Sequence, residues 1–459
     1  MLTLSRYPQT GWAGLTFGLL LAGGAFGDSI PVPLPPITST TTPAPVAPPL
    51  PQPGAALGLA DLERMALEHN PTLVQAAATV ESSRGKALQA GLCPNPTIGY
   101  NGDQVGAQGK AGEIQGGFVQ QVIVTAGKLR LSRAKYSQEA VEAELLALAQ
   151  QYRVLNGVRM RYYDLLALQR TLELRRGLFA NAEESLRTYK EMLNAGQADR
   201  ADVLGAEVQV GNARIALLTL ENRYPAYWQH LTAIIASPQL PPTALAGSLE
   251  SDGPLLDWDG SLCRLLRESP ELQAAQAHVV HDQIVLQREK VEPIPNLQLQ
   301  AGGGYNFQTK EAVTGTLQIG LQIPVWNRNQ GTIRQAQADL MRSHAEVARV
   351  ELSLRQRLAA AFARYRTARQ SAEIYRDSIV PKVNEAYEVQ LDMYKKRRIA
   401  WPQVVVLQRN ALEAQTMHTR SLLALREAEV AINGLLLVDG LTPPPTPTSN
   451  ELEATPNPR

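Results

Sequence analysis

Cysteine is nearly absent. Cys93 and Cys263 are the only two in 459 residues. They stand in neither paired nor metal-ligating spacing, which excludes a disulfide scaffold and a cysteine zinc site. Aromatic residues make up only 5% of the chain. Beyond the N-terminus no run reaches the roughly 18 apolar residues of a membrane helix. Neither sign of charge is in excess: 44 basic and 43 acidic residues leave a net charge of +1. That balance gives no reason to expect nucleic acid as a partner. Catalytic signatures are missing as well. There is no G-x-S-x-G, no P-loop and no H-E-x-x-H, so the chain is not read as an enzyme. Gly302, Gly303 and Gly304 lie in a strand with no helix after them, so they are not a phosphate cradle. The six histidines are scattered. His278 and His281 share a helical face, but only Asp282 joins them, so neither a metal site nor a cofactor is expected.

The ends of the chain read as non-globular. Arg6, the apolar stretch Trp12 to Phe26 and the small residues at Ala25-Phe26-Gly27 form a secretory signal over residues 1–27. Residues 28–56 are rich in Pro, Thr and Ala and read as an extended linker. Residues 439–459 read as a disordered, Pro-rich tail.

What lies between is one unit written twice, over residues 57–248 and 249–438. Asn70-Pro71-Thr72-Leu73 recurs as Ser269-Pro270-Glu271-Leu272. Pro94-Asn95-Pro96-Thr97-Ile98 recurs as Pro293-Ile294-Pro295-Asn296-Leu297. Leu129 to Ala134 recurs as Gly331 to Ala336. The period of about 200 residues is too long for a solenoid. Each copy has the order short helix, medium helix, strand, strand, very long helix, long helix.

Thr125 to Asn194 has helical apolar spacing and no proline, enough for a rod of about 100 Å. Asn327 to Lys395 is nearly as long, with Pro381 expected to kink or interrupt it. No single globular core accommodates such rods. Pro71 to Cys93 with Asp199 to Ala236, and Pro270 to Glu292 with Ala400 to Leu437, each supply about 90 Å of helix to stack end to end beside them. In that arrangement Cys93 and Cys263 sit about 35 Å apart, beyond disulfide reach.

Four segments alternate as strands. In Asn296 to Asn306, Leu297, Leu299, Ala301 and Tyr305 oppose Asn296, Gln298, Gln300 and Asn306. In Thr314 to Val325, Leu317, Ile319, Leu321, Ile323 and Val325 oppose Thr314, Thr316, Gln318 and Gln322. In Thr97 to Asp103, Ile98 and Tyr100 oppose Thr97, Asn101 and Asp103. In Ile114 to Val124, Ile114, Phe118, Val122 and Val124 oppose Gln115 and Gln121, with Gln120 as an exception; these last two runs alternate more weakly than the first two. A length of roughly 9–11 residues suits a tilted bilayer crossing, with the uncharged polar face toward a lumen. A soluble half-buried sheet shows the same alternation. Strand number separates the two. An open sheet edge is not tolerated in lipid, and four strands cannot close a barrel. Membrane strands here therefore require several subunits.

Together these features resemble the TolC-like outer-membrane efflux family, over about residues 57–438. Ile323 to Gly331 is similar to the second strand-to-helix junction of the branch that serves heavy-metal resistance-nodulation-division pumps. Thr125 to Arg130 occupies the matching place in copy one. The fold class is thus mainly α with a small transmembrane β part. The resemblance implies a long periplasmic α-barrel and four strands per subunit of a shared trimeric β-barrel. It implies a homotrimer in outer-membrane lipid, served by a periplasmic adaptor (membrane fusion) protein and an inner-membrane RND-type transporter. Metal ions or small toxic compounds would leave passively. A type I protein secretion outlet and a pore-less periplasmic coiled-coil scaffold are the alternatives.

Asn194-Ala195-Gly196, followed by Asp202-Val203-Leu204, is similar to the family's helix–turn–helix at the periplasmic tip. Gly196, Asp199, Asp202, Arg397, Arg398, Trp401 and Gln403 are the candidate residues for gating and adaptor contact. In copy two Gln403 and Val406 stand where some relatives carry acidic gate residues. Asp199 and Asp202 also suit capping of the following helix. Lys395 to Arg398 are candidates to face the two acids across neighbouring hairpins.

Overall fold

The computed structural model describes residues 57–103, 114–250, 255–306, 313–396 and 398–447. The leader at 1–27, the linker at 28–56 and the last twelve residues of the expected tail lie outside them. Two passes through one element order make up the described chain. The first is α1 (Leu59–His69), α2 (Pro71–Ala90), β1 (Thr97–Asp103), β2 (Ile114–Ile123), α3 (Lys128–Asn194) and α4 (Arg200–Ile234). The second is α5 (Trp258–Glu268), α6 (Pro270–Val291), β3 (Leu297–Asn306), β4 (Val313–Leu321), α7 (Gln330–Ile374), α8 (Val380–Lys395) and α9 (Trp401–Asn433). The repeat expected from the sequence is therefore a structural one.

Local chemistry explains the boundaries. Asn70 caps α2 by accepting the Thr72 N–H at 2.9 Å, and Pro71 fills the first helical position, where no N–H is needed. Pro270 does the same for α6. With 67 residues, α3 is about 100 Å long. The second rod passes Pro381 through a π-helical turn at Tyr375–Ile379. The wider turn absorbs a residue that has no N–H to donate and whose ring crowds the preceding turn. Pro225 lies inside α4 without ending it.

The helices form a layer of four columns. α2 and α4 pack on one side of α3, α6 and α9 on the other, and α7 and α8 lie beyond. α2 meets the first part of α3, where Arg84 pairs with Glu144 at 2.6 Å. α4 meets its far end, where Lys190 lies 3.5 Å from Glu207. Medium and long helices are thus stacked end to end along the rod. Midway, two apolar clusters thicken the layer. One joins α1, α3 and α4 through Leu62, Val158, Leu165 and Leu231. Its counterpart joins α5, α7 and α9 through Leu265, Leu354, Leu358 and Ile432. Leu57 bridges Leu245, so the first repeat begins and ends at this level.

The expected tail is corrected at its start. Gly440 and Thr442 dock on the middle of α3 and the start of α2. The buried Gln150 amide donates to the Thr442 carbonyl at 3.1 Å, and the Gly440 carbonyl lies 3.4 Å from Thr72 Oγ1, whose proton goes to Asn70 Oδ1 at 2.7 Å. Buried polar groups need partners, and this strap supplies them.

The same belt holds an acid pair between α3 and α9. Burial, and then the neighbouring Asp164, push the Glu427 carboxyl up. Burial also raises Asp164, against the pull of Arg161 at 2.8 Å. A carboxyl whose folded pKa lies above its unfolded value stabilises fully below the unfolded value. That contribution is lost as pH rises through the folded one. Glu427→Gln keeps a donor for Asp164 and cannot ionise. It should melt higher than the parent at about pH 8 and converge with it near about pH 5; thermal melts at the two pH values check this.

The strands form one antiparallel sheet in the order β1-β2-β3-β4. Its register corrects one expectation. Val119 pairs with Ala301 and Ile123 with Leu297, and these pair onward with Leu317 and Leu321. Val119 and Ile123 therefore belong to the apolar face. Phe118 and Val122 pair with Gly302 and Gln298 on the polar face. Phe118 fits there because its ring lies over Gly99, where a Cβ would collide with it. Gln121 and Gln115 sit toward the two ends of the apolar face. Gln121 donates to the Pro94 carbonyl at 2.8 Å, and Gln115 accepts from the Tyr100 hydroxyl at 2.7 Å. A second correction concerns β4, which ends at Leu321, short of Val325. Pro324 has no N–H for a ladder.

Candidate functional site

The far end of the layer carries two tight turns. In the first, α3 closes with the Ala195 N–H on the Glu191 carbonyl, Gly196 N–H on Leu193 and Gln197 N–H on Met192, the last at 2.8 Å. This is a Schellman closure, and it places Gly196 at φ +70°, a conformation that favours glycine. Asp199 precedes α4, and its N–H donates to the Asp202 carboxylate at 3.1 Å. Both acids are exposed. Asp202 thus ties down the first turn of α4, the capping role expected for it.

The second turn repeats the first. The Arg398 N–H donates to the Met393 carbonyl at 2.9 Å, as Gln197 does to Met192. Arg397 lies outside the described residues. Arg398 and Gln403 are exposed. Lys396 pairs with Asp392 at 2.5 Å. Among the described residues of one subunit, no ion pair joins Lys395, Lys396 or Arg398 to Asp199 or Asp202.

The two turns are joined by Trp401. Its Nε1–H donates to Ser185 Oγ of α3 at 2.7 Å, and its ring lies 4.8 Å from Tyr394 of α8. It packs with Leu186, Ala198, Val203 and the buried Tyr189. Trp401 is thus a tie within the subunit. Sequence reasoning missed Ser185, Tyr189 and Tyr394. Ser185 is 216 residues from its partner, and no local pattern marks it. The two tyrosines, one near the end of each rod, were the available signal.

At the opposite end the repeats are clamped together. Lys128, almost fully buried, donates from Nζ to the Ile294 carbonyl at 2.6 Å and to Asn296 Oδ1 at 3.2 Å. Thr125 Oγ1 donates to the Pro295 carbonyl at 2.7 Å. Asn329 Nδ2 donates to Glu289 Oε2 at 2.6 Å in the matching place of copy two. Beyond these junctions the sheet presents a bare apolar face: Ile98 is 80% exposed, Leu317 71% and Ile319 61%. Tyr100 and Tyr305 stand at its far end, and Trp326, 88% exposed, follows β4 at the near end. Among the described residues, the edge strands β1 and β4 each pair on one side alone. No helix among the described residues is long and apolar enough to cross a membrane.

Long helical rods in a single layer, ending in a four-stranded sheet with an exposed apolar face, match the α-barrel/β-barrel channel fold of TolC-like proteins. The chain belongs to the outer membrane efflux protein family, which matches residues 62–237 and 262–435. Among curated relatives it is similar to the cobalt-zinc-cadmium resistance protein CzcC of Cupriavidus metallidurans. The two are 22% identical over 378 residues, which cover 81% of this chain and 88% of that protein. Among solved structures it resembles the open state of the Neisseria gonorrhoeae MtrE outer membrane channel. That match has 18% identity and a TM-score of 0.68, covering 84% of this chain and 90% of the other. It also resembles the outer membrane protein VceC of Vibrio cholerae, at 15% identity and a TM-score of 0.68, covering 82% of this chain and 96% of the other. The fold is the one expected from the sequence.

Proposed function

We propose that three copies of this chain close a twelve-stranded barrel in the outer membrane and form a passive exit duct for divalent metal ions. The observation that carries this reading is the bare apolar face of a sheet with two open edges. In water it invites aggregation. In lipid it is favourable once neighbouring copies pair β1 with β4. β2, β3 and β4, of 9–10 residues, span about 21–23 Å at a 45° tilt, close to the usual apolar band, the described part of β1 has 7 residues, and aromatic residues flank both ends. The helical layer then extends about 100 Å into the periplasm, where an adaptor and an RND-type transporter deliver cargo. Metal cargo is supported by the likeness to CzcC, named for cobalt, zinc and cadmium resistance.

Single-channel recording of the purified protein in lipid tests the duct. Uniform conductance steps are expected, and their absence would favour a scaffold. Growth of a deletion strain on metals, antibiotics and detergents tests the cargo. Sensitivity confined to metals is expected; sensitivity to drugs instead would point to a general efflux or secretion outlet.

The tip, with Gly196, Asp199, Asp202, Arg397, Arg398, Trp401 and Gln403, is the gate and the adaptor contact in this reading. Asp202→Ala removes a cap worth about 0.5–2 kcal/mol and should raise entry of bulky antibiotics. Asp202→Asn separates two causes. Its amide oxygen still accepts the Asp199 N–H, so entry stays at the parental level if Asp202 acts as a cap. Entry rises if its charge latches onto Lys395 or Arg398 of a neighbouring hairpin.

A further inference from the structure

The pairing of His278 and His281 on one face of α6 gains a partner that no local pattern reveals. Glu142 of α3, 136 residues away, places Oε2 3.0 Å from His278 Nδ1. A carboxylate there accepts the Nδ1 proton and leaves the Nε2 lone pair free. That nitrogen lies 3.7 Å from Asp282 Oδ2. The other Asp282 oxygen lies 3.0 Å from His281 Nδ1. Asp282 is 2% exposed, and among the described residues its Oδ2 has no hydrogen-bond partner. The adjacent Ser343 hydroxyl gives its proton to the Leu340 carbonyl at 2.9 Å. One ligand atom from each of His278, His281 and Asp282 falls within 4.8 Å of the others. Two ligands about 2.0–2.1 Å from a tetrahedral ion stand about 3.3 Å apart, close to the Nε2-to-Oδ2 gap.

We propose that His278 Nε2, one nitrogen of His281 and Asp282 Oδ2 bind a single divalent transition-metal ion of the zinc class. Glu142 is the positioning residue that orients His278, in the carboxylate–histidine–metal arrangement. Two imidazoles and one carboxylate favour zinc, cobalt, nickel or copper over magnesium or calcium. The site is enclosed by α3, α6 and α7, so the ion is a staple in the barrel wall, and the assignment does not depend on which cargo the duct carries.

Full-length protein purified in detergent, stripped with chelator and dialysed against zinc tests this. Elemental analysis should give one zinc per chain, and zinc should raise the melting temperature. His278→Gln and Asp282→Asn should each lose at least tenfold in affinity, and Glu142→Gln about 10–100-fold. His344→Ala, an exposed histidine on α7, should bind as the parent does. Less than half a zinc per chain at saturation, full binding by Asp282→Asn, or loss of binding in His344→Ala would overturn the assignment. Should a variant fail to assemble, cobalt-loaded parental protein decides. Four-coordinate visible bands that zinc displaces support the site, and their absence refutes it.

Discussion

Arginine at Leu317 or Ile319 should abolish the assembled channel, whereas arginine at Thr316 or Gln318 should leave it intact. The four residues are consecutive on β4 and alternate between its two faces. Leu317 and Ile319 pair with Ala301 and Leu299 on the apolar side, and Thr316 and Gln318 with Gly302 and Gln300 on the polar side. An arginine facing the bilayer midplane costs about 2–4 kcal/mol. A ring of three carries the substitution three times, for roughly 6–12 kcal/mol. The polar face looks onto water in the proposed barrel, where a charge is solvated and its effect is on ion selectivity. Heat-modifiable oligomers in outer-membrane fractions report assembly, and single-channel recording reports selectivity. Equal assembly of both kinds of variant would mean that this sheet does not face lipid.

Asn156→Ala should cost about 1–3 kcal/mol per subunit, because the buried Leu437 carbonyl is left unpaired while the Gly434 carbonyl keeps only the Leu437 N–H. Asn156 is fully buried in α3, and its Nδ2 donates to the Gly434 carbonyl at 2.9 Å and the Leu437 carbonyl at 2.6 Å. These bonds fasten the end of the second repeat to the rod of the first. Gly434→Ala should reproduce the loss from the other side, because a Cβ there would collide with the Asn156 carboxamide. The double variant should be far less than additive, since both single changes break one contact. The melting temperature of the detergent-purified protein checks all three. A parental melt for both single variants would mean that the fastening carries no stability.

How much of this was legible in the sequence depended on range. The rods were legible because 67 residues without proline in α3 leave few alternatives. The strand β3 and the body of β4 were legible because their alternation is clean, and β1 showed a weaker form of it. β2 was misread in its facing because Phe118 can sit over a glycine and Gln115 and Gln121 can find partners at strand ends. Alternation alone does not register such exceptions; cross-strand pairing does. The tip turns could be placed from Gly196 and the two aspartates. The joining of the turns through Trp401 and Ser185 could not, and neither could the approach of Glu142 to His278, because each is a contact between residues more than a hundred positions apart. The strap at Gly440 and Thr442 was hidden by its own composition, since proline-rich segments look alike whether they dock or not.

The layer has two flanks, and they are unlike. One shows α2, α4 and β1, and the other shows α7, α8 and β4. Unlike flanks join only head to tail, so no two-fold pair of subunits can satisfy both. Any incomplete ring leaves one β1 and one β4 open at its ends. Assembly should therefore be all or none, and a subunit damaged on one flank still caps a growing ring with its sound one. If the ring holds three subunits, as proposed, expression of such a subunit in equal amount with the parent would leave only about one ring in eight intact. Transport through the proposed duct would then fall much further than the dose of the damaged gene alone suggests.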